Sequence, residues 1–141
     1  ILDDTYNASP RATTEAIQTL TDLGRRRQKI AVLGEMKDLG HLSKKYHQDL
    51  GQKISKSSIN LLITIGKVAD LIGKSAKKYH FRGKTVNVPN TKEALNLMRK
   101  FTTPKSLILV KGSRHAHLER IVLGLLHKST EINCYHCGIL K

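Results

Sequence analysis

A chain of 141 residues, 39% hydrophobic and 26% charged, has the apolar material for one packed domain and no compositional sign of disorder. No apolar run approaches the ~20 residues of a membrane span, and the acidic start lacks the basic n-region of a signal peptide. The net charge of +14 implies anionic partners or a lysine-rich solvated surface. Nucleic acid is disfavoured, because aromatics are 4%, tryptophan is missing and the basic clusters Arg25-Arg26-Arg27 and Lys77-Lys78 are short, whereas single-strand binders interleave basic and stacking residues.

The chain opens with Ile1-Leu2 running into Asp3-Asp4 and a polar turn, which reads as the carboxyl end of a strand delivering side chains to a ligand crevice. A start directly on a strand is the mark expected of a piece of a longer protein. Ser9 can cap a helix whose first position is Pro10, and Ala16, Ile17, Leu20 and Leu23 form one apolar face before Gly24 stops it. After a basic connector from Arg25 to Lys29, Ile30 to Leu33 is a buried strand and Gly34 to Gly40 a loop. Ser43 to Ser55 reads as a helix with Tyr46, Leu50 and Ile54 four apart. Leu61 to Ile65 is a second buried strand, Val68 to Ala76 a short helix, and Thr85 to Val88 a weaker strand. Thr91 is the expected cap of a helix bearing Leu95, Met98 and Phe101, with Pro104 beyond it. Leu107 to Val110 is another buried strand, and His115 to His127 a last helix with Leu118, Ile121, Val122, Leu125 and Leu126 on one face. Ser129 to Lys141 has no clear period and reads as a tail.

Strands and helices alternate, so the fold class is α/β: a Rossmann-like, mostly parallel sheet with helices on both faces. Each strand ends in a glycine or polar loop, and these loops share one edge of the sheet.

Three stretches on that edge resemble the Mur ligase family, in its D-alanyl-D-alanine-adding branch. Asp3-Asp4-Thr5-Tyr6-Asn7-Ala8-Ser9-Pro10 is similar to the family's Asp-Asp-Ser-Tyr-Asn-Ala-Asn-Pro. Val32 to Gly40 resembles Val-Leu-Gly-Asp-Met-x-Glu-Leu-Gly, and Leu109 to Arg114 resembles Leu-Val-Lys-Gly-Ser-Arg. The resemblance covers residues 1–128 as a Mur ligase C-terminal domain and leaves 129–141 outside it. It implies a cytoplasmic, ATP- and Mg²⁺-dependent reaction joining D-alanyl-D-alanine to UDP-N-acetylmuramoyl-tripeptide in peptidoglycan precursor synthesis. It also implies that a central ATPase domain, absent from this sequence, holds most of the nucleotide phosphates and the metal. This chain alone is therefore expected to be inactive.

A carboxylate at a strand end suits ribose hydroxyls, and a tyrosine and an amide beside it suit a purine. The resemblance marks Asp4, Tyr6 and Asn7 as nucleotide contacts; the plainer reading is that Asp3 and Asp4 cap the turn and Tyr6 packs. Lys111, Ser113 and Arg114 offer a point charge, a hydroxyl and a planar fork for a dipeptide carboxylate or a phosphate oxygen, helped by backbone N–H groups of the helix expected to follow. Glu35 and Lys37 are further loop contacts, beside Asp38; Glu35 and His115 depart from the family's aspartate and glycine. No catalytic residue is assigned.

Other signals are weaker. Gly73-Lys74-Ser75 ends like a phosphate-binding loop, but its first glycine falls on Val68 in a helix-forming segment, so it is rejected. Cys134-x-x-Cys137, with His127 and His136 near in sequence, invites a zinc reading; one pair without a second at metal spacing reads better as two reduced thiols, and no metal site is assigned. The remaining histidines, His41, His47, His80 and His117, have no triad-like context. Two other functions stay open: another Mur-type amide ligase of the folylpolyglutamate or cyanophycin synthetase kind, and a stand-alone basic anion- or nucleic-acid-binding module.

Overall fold

Why the apolar stretches become strands of one sheet is visible in how their side chains divide. A computed structural model of the chain describes residues 1–135 and 137–140, Leu140 by its backbone alone. The strands are β1 (Leu2–Asp4), β2 (Gln28–Leu33), β3 (Leu61–Ile65), β4 (Lys84–Val88) and β5 (Ser106–Lys111), all parallel, in the order β1-β5-β2-β3-β4. Ala31, Leu33, Leu62, Leu107 and Leu109 point into one apolar layer, while Ile30, Val32, Ile63, Ile108 and Val110 point into the other. A side-chain period of two sends neighbours to opposite faces, so a continuous apolar run is what a two-sided buried strand requires.

Helices α1 (Pro10–Leu23), α2 (Ser43–Ser55) and α3 (Asp70–Lys78) cover the first face through Ile17, Leu20, Leu50, Ile54, Ile72 and Ala76. Helices α4 (Thr91–Phe101) and α5 (Glu119–Leu125) cover the second through Ala94, Met98, Ile121 and Val122. Among the described residues no helix is long and apolar enough to cross a membrane.

The expected caps hold at α1, where the Ser9 hydroxyl accepts from the Ala12 N–H at 3.3 Å and Pro10 takes the first turn. Leu23 departs from the expected face, being 61% exposed, and Thr13 takes its place in the buried stripe. Lys29 is not part of a connector: it lies within β2, 6% exposed, with its ammonium donating to the Gly24 carbonyl at 3.0 Å just past the end of α1. That is where a helix leaves carbonyls unpaired and favours a cation.

Three expectations near the other helices change. Asn90, not Thr91, caps α4, its side-chain oxygen accepting from the Glu93 N–H at 2.9 Å. The last helix is shorter than expected: Arg114–Ala116 form a 3₁₀ turn, His117 is left-handed at φ 48°, and α5 begins only at Glu119. The tail folds as an antiparallel hairpin of β6 (Ile132–Cys134) and β7 (Gly138–Leu140), turning where Gly138 takes φ +73°.

Candidate functional site

The return of the chain from β4 to β5 creates the site. After β2 the backbone goes to α2 on one face; after β5 it goes to α5 on the other. Where neighbouring parallel strands send their loops apart, a crevice opens at their carboxyl ends. Here the two loops first run side by side. The Gly34 N–H donates to the Lys111 carbonyl at 2.9 Å and the Ser113 N–H to the Glu35 carbonyl at 3.0 Å. A glycine at 112 is needed for this approach, since a Cβ there would stand 3.1 Å from the Gly34 Cα and 2.7 Å from Leu118 Cδ1.

All the residues singled out from sequence gather on this edge, but in two groups. In the first, Lys111 is almost wholly enclosed, at 2% exposure, and its ammonium donates to Asp4 Oδ2 at 2.6 Å and to the Asn7 carbonyl at 2.9 Å. Its charge is spent inside the protein, tying the end of β1 to the end of β5. Asp4 is half-exposed at 46% and keeps its second carboxylate oxygen. Tyr6 is 74% exposed, with the Arg114 guanidinium 5.2 Å from its ring centre, a cation–π contact that joins the first and third motifs. The Asn7 side-chain oxygen accepts from the Ala8 N–H at 2.8 Å. Asp3 does what the plainer reading expected, accepting from the Thr5 hydroxyl at 2.7 Å to shape the turn.

In the second group, Glu35 and Lys37 form an ion pair of 3.1 Å. They line a groove of 460 Å³ with Ser113, His115, Pro89 and Asn90, across the ends of β2 to β5. The Ser113 hydroxyl accepts from the Lys37 N–H at 2.8 Å, so its first task is to fix that loop. No helix starts directly after Ser113, so the anion site expected from helix N–H groups there is replaced by a 3₁₀ turn. A larger groove of 610 Å³ lies between α1 and α2, lined by Pro10, Arg11, Tyr46 and Lys53 among others; of the motif residues it meets Pro10 and none of the candidate contacts.

Sequence reasoning passed over His47. It is fully buried on α2; its Nδ1 donates to the Ser43 carbonyl at 2.7 Å, leaving Nε2 to accept from the Met36 N–H at 3.0 Å. It therefore holds the loop that carries Glu35 and Lys37. The available signal was its place beside the Tyr46-Leu50-Ile54 stripe. Replacing His47 by alanine leaves a buried N–H unpaired beside a cavity and is expected to cost about 2–3 kcal/mol. Glutamine, which keeps an acceptor, costs less; urea unfolding and amide exchange at Met36 measure both.

The two cysteines also meet a partner other than the histidines near them in sequence. Cys134 is buried, neither thiol is in a disulfide, and His117 Nε2 lies 3.3 Å from Cys137 Sγ. A hydrogen bond with Cys134, aided by slight desolvation, pushes the Cys137 thiol above its ordinary value. His127 follows α5 at φ 56° and is not in this group; His136 lies outside the described residues.

Known proteins resemble this chain in sequence and fold. The family described as "Mur ligase, glutamate ligase domain" matches residues 1–114. The UDP-N-acetylmuramoyl-tripeptide–D-alanyl-D-alanine ligase of Bacillus subtilis is 34% identical over 126 residues, covering 89% of this chain and 28% of the relative. That of Escherichia coli is 32% identical over 131 residues, covering 92% and 27%. Among solved structures, MurF from Acinetobacter baumannii superimposes with a TM-score of 0.72 at 30% identity, over 88% of this chain and 27% of that one. MurF from Thermotoga maritima in complex with ADP gives 0.65 at 25%, over 84% and 26%. The chain thus spans little more than a quarter of the length of these relatives.

Proposed function

The chain belongs to the Mur ligase family, through its glutamate ligase domain, and from that premise we propose that it is the C-terminal domain of an ATP-dependent ligase that adds D-alanyl-D-alanine to UDP-N-acetylmuramoyl-tripeptide. The whole reaction would take place in the cytoplasm, on peptidoglycan precursors, with ATP and Mg²⁺ held mainly by a central domain of the same protein. Residues 1–128 form the ligase domain in this reading, and the hairpin is an addition to it. The observation that carries the proposal is the joining of three separated motifs at one sheet edge: the Asp4–Lys111 ion pair and the Tyr6–Arg114 stack tie the first to the third, and the hydrogen bonds of Ser113 with Glu35 and Lys37 tie the third to the second. The relatives' names and the ADP complex of one of them support the same substrates.

In the proposed mechanism, ATP phosphorylates the terminal carboxylate of the tripeptide, and the dipeptide amine attacks the acyl phosphate, releasing phosphate and ADP. The work of this chain is to bind, orient and exclude water. The second oxygen of Asp4 accepts from the ribose hydroxyls, in a position fixed by Lys111. The exposed Tyr6 ring and Asn7 meet the base. Arg114 reaches over Tyr6 toward the anionic groups, its guanidinium matching a carboxylate or phosphate in two bonds. The groove beside it takes the dipeptide, with the Lys37 ammonium for its carboxylate and Glu35 for its ammonium group, which gives its extra proton to solvent before the neutral amine attacks. Ser113, held between the two groups, sets their spacing. Closure over an acyl phosphate protects it from hydrolysis.

Backbone amide NMR of the 141-residue chain, titrated with Mg-ADP and then with D-alanyl-D-alanine, tests this reading. Nucleotide is expected to shift Asp4 to Asn7 and Arg114; dipeptide is expected to shift Glu35 to Lys37 and Ser113 to His115. Shifts spread over the basic surface and abolished by modest salt would instead identify a general anion binder. ATP-dependent ligation by this chain alone would refute the division of labour between domains.

A further inference from the structure

We propose that His117, Cys134 and Cys137 form a structural zinc site that clamps the C-terminal hairpin onto the loop bearing Ser113 and Arg114. The donor atoms of the three side chains all lie within 4.8 Å of one another, and the His117 Nε2 to Cys137 Sγ distance is 3.3 Å. Donors on a tetrahedral zinc, with Zn–S of about 2.3 Å and Zn–N of about 2.0 Å, stand roughly 3.5–3.8 Å apart, so closing this set on a metal needs only side-chain adjustment.

Each part of the fold contributes to the arrangement. Cys134 ends β6, Cys137 precedes β7, and Gly138 directly after it turns the chain at φ +73°, so the Cys-x₂-Cys spacing lies on a tight hairpin tip. Closed structural zinc sites use this spacing. His117 comes from the other side, held left-handed at φ 48° between the 3₁₀ turn and α5. Its Nδ1 faces Glu119 Oε1 at 3.1 Å. A carboxylate on Nδ1–H fixes the tautomer and leaves the Nε2 lone pair, on the sulfur side, for a metal. His117 and Cys134 are 7% and 5% exposed, so two of the three donors are held inside the protein.

The chemistry selects the ion. Two sulfurs and an imidazole favour zinc over magnesium or calcium, which take oxygen donors. On binding, each thiol gives its proton to solvent, and two thiolates with a neutral imidazole balance the 2+ charge without adding to the positive charge of the chain. Water completes the tetrahedron on the side of the exposed Cys137. The Arg120 Nε donor to the Thr130 carbonyl at 3.0 Å already steers the chain toward the site. The metal then fixes the backbone three residues after Arg114, and so the arm that stacks on Tyr6.

This site does not depend on the ligase reading, and its test involves no nucleotide. The reduced 141-residue chain is titrated with Co²⁺ and the cobalt is then displaced by Zn²⁺. The expected result is one ion per chain, visible bands of tetrahedral cobalt and a thiolate-to-cobalt charge-transfer band, with amide exchange in β6 and β7 slowed at least tenfold by zinc. Cys137→Ser, at an exposed position, is expected to weaken binding by 100-fold or more and to remove the charge-transfer band. Glu119→Gln is expected to weaken it by roughly 10–100-fold, as loss of a supporting partner does. Absence of stoichiometric binding, an octahedral spectrum without sulfur ligation, or binding unchanged in Cys137→Ser would each overturn the proposal.

Discussion

Replacing Asp4 by alanine is expected to lower the unfolding free energy by about 3 kcal/mol, whereas replacing its partner Lys111 by methionine costs about 1 kcal/mol or less. The asymmetry follows from burial. Lys111 is 2% exposed and Asp4 46%. Without Asp4, an ammonium stays enclosed with only the Asn7 carbonyl at 2.9 Å, and removing one partner of a buried pair strands the other charge. Without Lys111, the carboxylate is left in partial contact with water, and methionine fills most of the lysine's volume. The double variant is therefore expected to be nearly as stable as Lys111→Met alone, a coupling of about 3 kcal/mol in a double-mutant cycle by urea unfolding. If Lys111→Met proves the more damaging single change, the pair is not the buried-cation device described here. Lys111→Met separates stability from function as well. It should keep the fold while reducing the nucleotide-induced shifts at Asp4 to Asn7, because nothing then orients the carboxylate.

The second large effect is expected away from the site, at Gly51→Ala in the middle of α2. Helix propensity alone predicts a gain of about 1 kcal/mol for this change. The packing opposes it. An added Cβ would lie 2.3 Å from the Ile72 carbonyl oxygen, 2.7 Å from Ser75 Cβ and 3.0 Å from the Ala76 nitrogen. Two of these are backbone atoms of α3, which cannot turn aside as a flexible side chain would, and the Ser75 hydroxyl already donates to the Gln48 carbonyl at 2.6 Å to hold the helices close. Overpacking of about 3 kcal/mol outweighs the propensity gain, for a net loss of about 2 kcal/mol. Thermal unfolding should show a fall of roughly 8 °C. A rise in Tm would mean that the two helices separate at little cost and that their close contact is not a constraint on the fold.

Regular elements were legible wherever a periodic apolar pattern ran long enough. The alternating cores of β2, β3 and β5 and the stripes of α1 and α2 fall where the pattern puts them, with Leu23 the exception at a helix end. Ends were less legible. Asn90 and Thr91 are adjacent and both of a residue type that favours the cap, and only the reach of the Asn90 oxygen to the Glu93 N–H separates them. The stretch from His115 to Leu118 has helical apolar spacing, yet Leu118 is buried from a turn, because the chain must first pass the Gly34–Gly112 contact and bend at His117. The hairpin strands have 3 residues each, too few for a period to declare itself.

The same division runs through the site. The α/β order, the edge on which the loops collect and the three motifs that resemble the Mur ligases are readable from residue type and local spacing. What each charge faces is set by the folded chain. Lys111, which reads as a mobile cation for a substrate, is committed to Asp4, 107 positions away. His47, without any motif, holds the Met36 N–H. His117, rather than the histidines near the cysteines in sequence, meets Cys137, 20 positions away. Such partners are set by the return of the chain across the sheet, which brings distant residues within a few ångströms. Electrostatic and hydrogen-bond energies depend on those distances and on burial, and neither is written in local sequence.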